Sequence, residues 1–225
     1  MTALTRKLRA KRLFSGTISK RPVAVASLLA AGLLNACATT NVPDNPPSRI
    51  EILDSFGFTI TEEARISGDV RVDYNRALQY LERGELRNGI RLLQAVVETA
   101  PGISAPRIDL GIAYHLDGQL EAAERNLLLA LEANPNHPIA HNELGIVYRK
   151  SGRFNEARES YEAALTIYPG YHFARRNLAV LCDLYLADMN CALENYEAYM
   201  TTVTADSEVT MWMEDLRYRM EQVEP

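Results

Sequence analysis

From Val70 onward, the apolar positions of the chain return with a period of 34 residues. Three consecutive windows start at Val70, Ser104 and Pro138. The third places Leu144, Gly145, Tyr148, Gly152, Ala157, Tyr161, Ala164 and Pro169 at positions 7, 8, 11, 15, 20, 24, 27 and 32. The second holds Leu110, Gly111, Tyr114, Gly118, Ala123, Leu127, Ala130 and Pro135 at the same places, without a gap. The first is looser. It keeps Ala77, Tyr80, Gly84, Leu93 and Pro101, with Gly89 and Val96 in place of Ala and Arg76 in place of Leu. Self-similarity at such a period marks stacked copies of one structural unit. Beyond the repeats, Val209, Trp212, Met213, Leu216 and Met220 fall on one face of a helix over residues 207–222, for which Ser207 is the expected N-cap. Ahead of the repeats, residues 50–69 carry Ile50, Ile52, Leu53, Phe56, Phe58 and Ile60, and the short alternation FTITEE predicts a small extended segment. This much apolar area is expected to pack onto the domain that follows.

The 34-residue pattern resembles the tetratricopeptide repeat, in which two antiparallel helices form a unit that stacks into a curved solenoid. The resemblance implies an all-α fold: an α-solenoid of about four helix pairs over 70–206 (70–103, 104–137, 138–171 and 172–206), closed by a capping helix over 207–225. Small residues at positions 8, 20 and 27 let helices approach, larger ones at 7, 11 and 24 fill the gaps, and Pro at 32 ends the second helix. In the fourth copy, Asn177, Leu178 and Ala179 continue the first helix, while Ala192, Tyr196 and Tyr199 arrive one residue late. An insertion therefore lies in the turn near LYLADMN.

In this family the concave surface is lined by positions 2, 5, 9, 12 and 13 of each first helix. Carried over, these positions make Tyr74, Ile108, Ile112, His115, Asn142, Arg149, Lys150, Phe173 and Arg176 the expected partner-binding groove, with Asp183 and Leu184 closing the fourth row. Arg149, Lys150 and Arg176 form a cationic cluster suited to a peptide bearing a carboxylate. Two other readings stay open: residues 50–66 fill the groove, or the arginines pair with acidic residues of neighbouring helices.

Chemical motifs are sparse. The chain has no Gly-rich phosphate loop, Gly-x-Ser-x-Gly or His-Glu-x-x-His. His137 and His141 stand four apart with Glu143 nearby, but fall in an inter-repeat turn and at a packing position, so no metal is expected there. Neither a catalytic residue nor a cofactor is expected, and the chain is read as a non-enzyme. Cys182 and Cys191 lie on facing helices of the fourth hairpin, which implies a disulfide in an oxidising compartment; two buried thiols are the alternative.

The N-terminus decides the expected location. Seven basic and no acidic residues precede Cys37, and Val23–Leu34 is uncharged, too short for a bilayer core of about 30 Å. Leu34-Asn35-Ala36-Cys37 resembles the lipobox of bacterial lipoprotein precursors. That resemblance implies removal of residues 1–36 and acylation of Cys37, with several acyl chains as a lasting anchor. A signal anchor left uncleaved and a plain secreted protein are the other readings. Ala38 stands where Asp favours inner-membrane retention, so the outer membrane, facing the periplasm, is expected. Residues 37–49, with Pro43, Pro46 and Pro47, read as a tether. Of 24 basic and 29 acidic residues, 17 and 29 remain from Cys37 onward, a net charge of −12. That charge disfavours nucleic acid and anionic lipid as partners. The expected partners are proteins or peptides of the cell envelope, the membrane is met through the lipid alone, and no small-molecule substrate is expected. The architecture resembles small lipoproteins that assist pilus or secretion assembly; an accessory of a TonB-like transport complex and a peptidoglycan-enzyme adaptor are the alternatives.

Overall fold

A computed structural model describes residues 49–53, 59–63 and 67–223. The expected signal segment 1–36, the expected anchor at Cys37 and the expected tether as far as residue 48 lie outside the described residues. So do the side chains through which residues 50–66 would pack on the groove.

The described chain opens with an antiparallel hairpin of β1 (Arg49–Leu53) and β2 (Thr59–Glu63), in which Arg49 is opposite Glu63 and Leu53 opposite Thr59. Nine helices follow among the described residues: α1 (Gly68–Glu82), α2 (Leu86–Thr99), α3 (Ser104–Leu116), α4 (Leu120–Ala133), α5 (Pro138–Lys150), α6 (Phe154–Ile167), α7 (His172–Leu184), α8 (Met189–Thr202) and α9 (Ser207–Val223). Each helix packs on the next. Contacts that skip an element join α3 to α5 and α5 to α7, so the first helices of the pairs form an inner layer. The array is an α-solenoid.

The repeated small residues are what set the spacing. A Cβ added at Gly145 would stand 2.6 Å from Cε1 of Tyr161, so α5 and α6 approach only because position 8 lacks a side chain. Leu93, Leu127 and Tyr161, all at position 24, are fully buried, as are Ala123, Ala130, Ala157 and Ala164 at positions 20 and 27. Burying each such Leu contributes about 1.5–3 kcal/mol. Position 15 turns the chain: Gly84, Gly118 and Gly152 have φ of 75°, 81° and 76°, where a Cβ is disfavoured. The fourth turn is one residue longer. There Ala187 takes φ 52°, and Asp188 caps α8 by accepting from the Cys191 N–H at 3.1 Å. Among the described residues no helix is long and apolar enough to cross a membrane.

Candidate partner-binding surface

The inner layer presents positions 2, 5, 9, 12 and 13 of α1, α3, α5 and α7, and its first three rows are more closed than the sequence implies. Tyr74 is buried and its hydroxyl donates to the carboxylate of Asp109. Ile108 is fully buried. Asn142 is also buried, donating to Glu143 Oε1 at 3.1 Å and accepting from Asn177 Nδ2 at 2.8 Å. These three expected groove residues are core. Position 5 in these repeats faces the adjoining inner helix, and a position rule names a face without saying what lies against it. Ile112 and His115 are partly buried.

The cationic cluster is likewise divided. The Arg149 guanidinium is partly buried and sits 5.8 Å from the Tyr185 ring centroid. Arg176 donates to Glu208 Oε2 at 3.0 Å and lies 4.9 Å over the Trp212 ring. Lys150 alone of the three is exposed. Phe173 is partly exposed, with its ring against His172 at 4.1 Å and Tyr171 at 6.1 Å.

The closing helix α9 explains this division. Arg176–Glu208 at 3.0 Å and Asp183–Arg219 at 2.6 Å join α7 to α9 near both ends, so the two helices run side by side in the same direction. With the fourth window one residue longer, α9 takes the place of a fifth first helix. Val209, Met213 and Leu216 are buried against the preceding pair. Its N-cap is Asp206, one residue before the expected Ser207: Oδ1 accepts from the N–H groups of Glu208 and Val209, each at 3.1 Å. Met211 and Tyr218 then occupy inner-row positions 5 and 12. They are 61% and 62% exposed, and the neighbouring Leu184 is 68% exposed. The sequence pattern gives α9 a capping role and does not single these two residues out. Their spacing of seven on an amphipathic helix was the available signal.

Elsewhere the chemistry is structural. Cys182 and Cys191 form a disulfide across the fourth turn, with Cα atoms 5.9 Å apart. Their sulfurs and Asp188 make the one cluster of potential metal ligands among the described residues, but each sulfur is committed to the other. Arg158, donating at 2.9 Å, and the Cys191 N–H hold the Asp188 carboxyl below the usual carboxylate range. His141 Nε2 lies 2.9 Å from the Pro135 carbonyl, which ties it to the inter-repeat turn. Burial raises the Tyr161 phenol to about 12. Arg153 spans two pairs: it meets both Glu124 oxygens at 2.8 Å, bonds Glu156, and covers the Tyr148 ring at 4.2 Å.

Residues 117–172 match the family profile described as Tetratricopeptide repeat. The chain also matches solved structures, some of them described as tetratricopeptide-repeat proteins. The fold is a tetratricopeptide-repeat solenoid. The protein MamA (residue 41 to the end) of Desulfovibrio magneticus RS-1 is 18% identical with a TM-score of 0.62, over 70% of this chain and 88% of that one. The Pseudomonas aeruginosa protein pilF is 21% identical with a TM-score of 0.62, over 68% and 69%. The first tetratricopeptide-repeat domain of Spaghetti (RPAP3), solved with the HSP90 peptide SRMEEVD, is 20% identical with a TM-score of 0.52, over 54% and 96%. No curated protein matches the chain. The family match spans α4–α6, and the solved structures share the helical solenoid fold.

Proposed function

We propose that the chain is a lipid-anchored scaffold of the bacterial envelope, facing the periplasm from the outer membrane. It holds protein partners of a pilus or secretion assembly and catalyses no reaction. The observation that carries the binding role is the open C-terminal end of the inner layer, where Leu184, Met211 and Tyr218 are exposed. Large apolar side chains gathered at one site on an otherwise acidic chain mark an interaction surface. A tetratricopeptide-repeat domain solved with an HSP90 peptide gives a precedent for peptide capture on this fold. The anchor rests on the resemblance of Leu34–Cys37 to a lipobox, and the Cys182–Cys191 disulfide accords with an oxidising compartment.

The test combines labelling and fractionation. Cells expressing the full chain are fed a labelled fatty acid, and their membranes are separated. The wild type is expected to carry label and to sediment with outer membrane, whereas Cys37→Ser loses the label and stays as a precursor in the inner membrane. Equal labelling of both would overturn the anchored reading. Turnover of cell-wall sacculi by the purified chain would overturn the non-enzyme reading.

A further inference from the structure

The faces of α9 differ in a way that capping alone does not require. A helix that merely ends a solenoid needs a polar outer side. The end face of α9 meets that need: Thr210, Glu214 and Glu221 are exposed where another second helix would pack, while Arg217 reaches back to Glu197 of α8 at 2.8 Å. Met211 and Tyr218, on the inner side, are large, apolar and as exposed as Leu184. Tyr218 and Leu184 are the immediate chain neighbours of Arg219 and Asp183, whose ion pair at 2.6 Å brings the two helices together. Met211 lies two turns before Tyr218, about 10.5 Å along the axis. A partner helix with apolar residues seven apart matches that spacing.

Charge selects the occupant further. Of the cations on this part of the inner layer, Arg149 rests over Tyr185, Arg176 is bound to Glu208, and Arg219 to Asp183 and Asp215. Lys150 is exposed and makes no ion pair among the described residues. It ends α5 as Leu184 ends α7, both at position 13, so it stands at the same edge as Leu184.

We propose that Leu184, Met211 and Tyr218, flanked by Lys150, form a docking strip for an amphipathic helix of a partner protein that carries apolar residues two turns apart and a carboxylate at one end. The strip rests on the scaffold reading and specifies its partner.

The probe is a displayed library of random 16-residue peptides, selected on the full chain in detergent and re-measured as synthetic peptides. Enriched sequences are expected to pair apolar residues seven apart with a terminal Asp or Glu. Tyr218→Ser and Leu184→Ser each weaken binding roughly tenfold, the equivalent of about 1.4 kcal/mol. Lys150→Glu shifts the preference from acidic to basic peptides. These side chains are exposed, so circular dichroism and thermal midpoint remain unchanged. Peptides insensitive to all three substitutions overturn the strip and leave the scaffold standing. Failure to enrich any peptide overturns both. Self-association in sedimentation that Tyr218→Ser abolishes assigns the strip to a second copy and overturns the proposal.

Discussion

Tyr199 and Asp206 fasten the closing helix to the last repeat: the Tyr199 hydroxyl donates to Asp206 Oδ2 at 2.7 Å, while the other oxygen caps α9 at 3.1 Å. One carboxylate thus satisfies a buried phenol and two N–H groups of the first turn. Asp206→Ala is expected to destabilise the chain by about 1–2 kcal/mol, with local hydrogen exchange rising over residues 207–220. Loss of stability without faster exchange in α9 would contradict the clasp.

The same pair fixes a pH response at both ends of the scale. Burial, then the Asp206 hydrogen bond, raises Tyr199 to about 12. Stability from that phenol is present below its unfolded value of about 10 and is lost as pH rises towards 12. Asp206 is lowered: burial pushes it up, but the Tyr199 hydroxyl, the Val209 and Glu208 N–H groups and Arg176 together outweigh that. Its stabilisation is present above an unfolded value of about 3.9 and fades as pH falls through the lower folded value. Urea titrations from pH 2 to 12 are expected to show Tyr199→Phe flattening the alkaline limb and Asp206→Asn the acid limb.

The disulfide closes a short loop, so its removal by Cys182→Ser with Cys191→Ser is expected to lower stability by about 2–3 kcal/mol. Thiol labelling of denatured, unreduced Cys37→Ser chain checks the bond directly. Two labels per chain from this pair would refute it.

Gly145 faces the Tyr161 ring, and Gly145→Ala places a methyl 2.6 Å from Cε1. The aromatic ring has little room to move inside α5–α6. Overpacking of about 1–3 kcal/mol is expected to exceed the helix-propensity gain of about 1 kcal/mol, so the urea midpoint falls. An unchanged or higher midpoint would show that α5 and α6 are not in such close contact.

Ala187 takes a left-handed conformation at φ 52° in the lengthened turn where the other pairs use glycine. Ala187→Gly relieves about 1 kcal/mol and is expected to raise the thermal midpoint. A lower midpoint would contradict the assigned turn.

The array was legible because its spacing is mechanical: Gly145 opposite Tyr161 and Gly152 in its turn are demanded by contact and backbone, and both recur at 34 residues. The added residue in the fourth turn was visible for the same reason. Burial of Tyr74, Ile108 and Asn142 was not, because it depends on which helices adjoin position 5. Arg176 lies 32 residues from Glu208, too far for a local charge pattern to pair them. Asp206 and Ser207 are both good caps by composition. The reach of Tyr199, seven residues back, decides between them.

In-cell photo-cross-linking tests most directly whether the open C-terminal end of the inner layer holds a partner. A photoreactive amino acid replaces Leu184 in one strain and Leu129, exposed on α4, in another. The expected result is a discrete adduct with a different protein from position 184, diminished by Tyr218→Ser, and none from position 129. Adducts from position 129 alone, with position 184 silent, would contradict it.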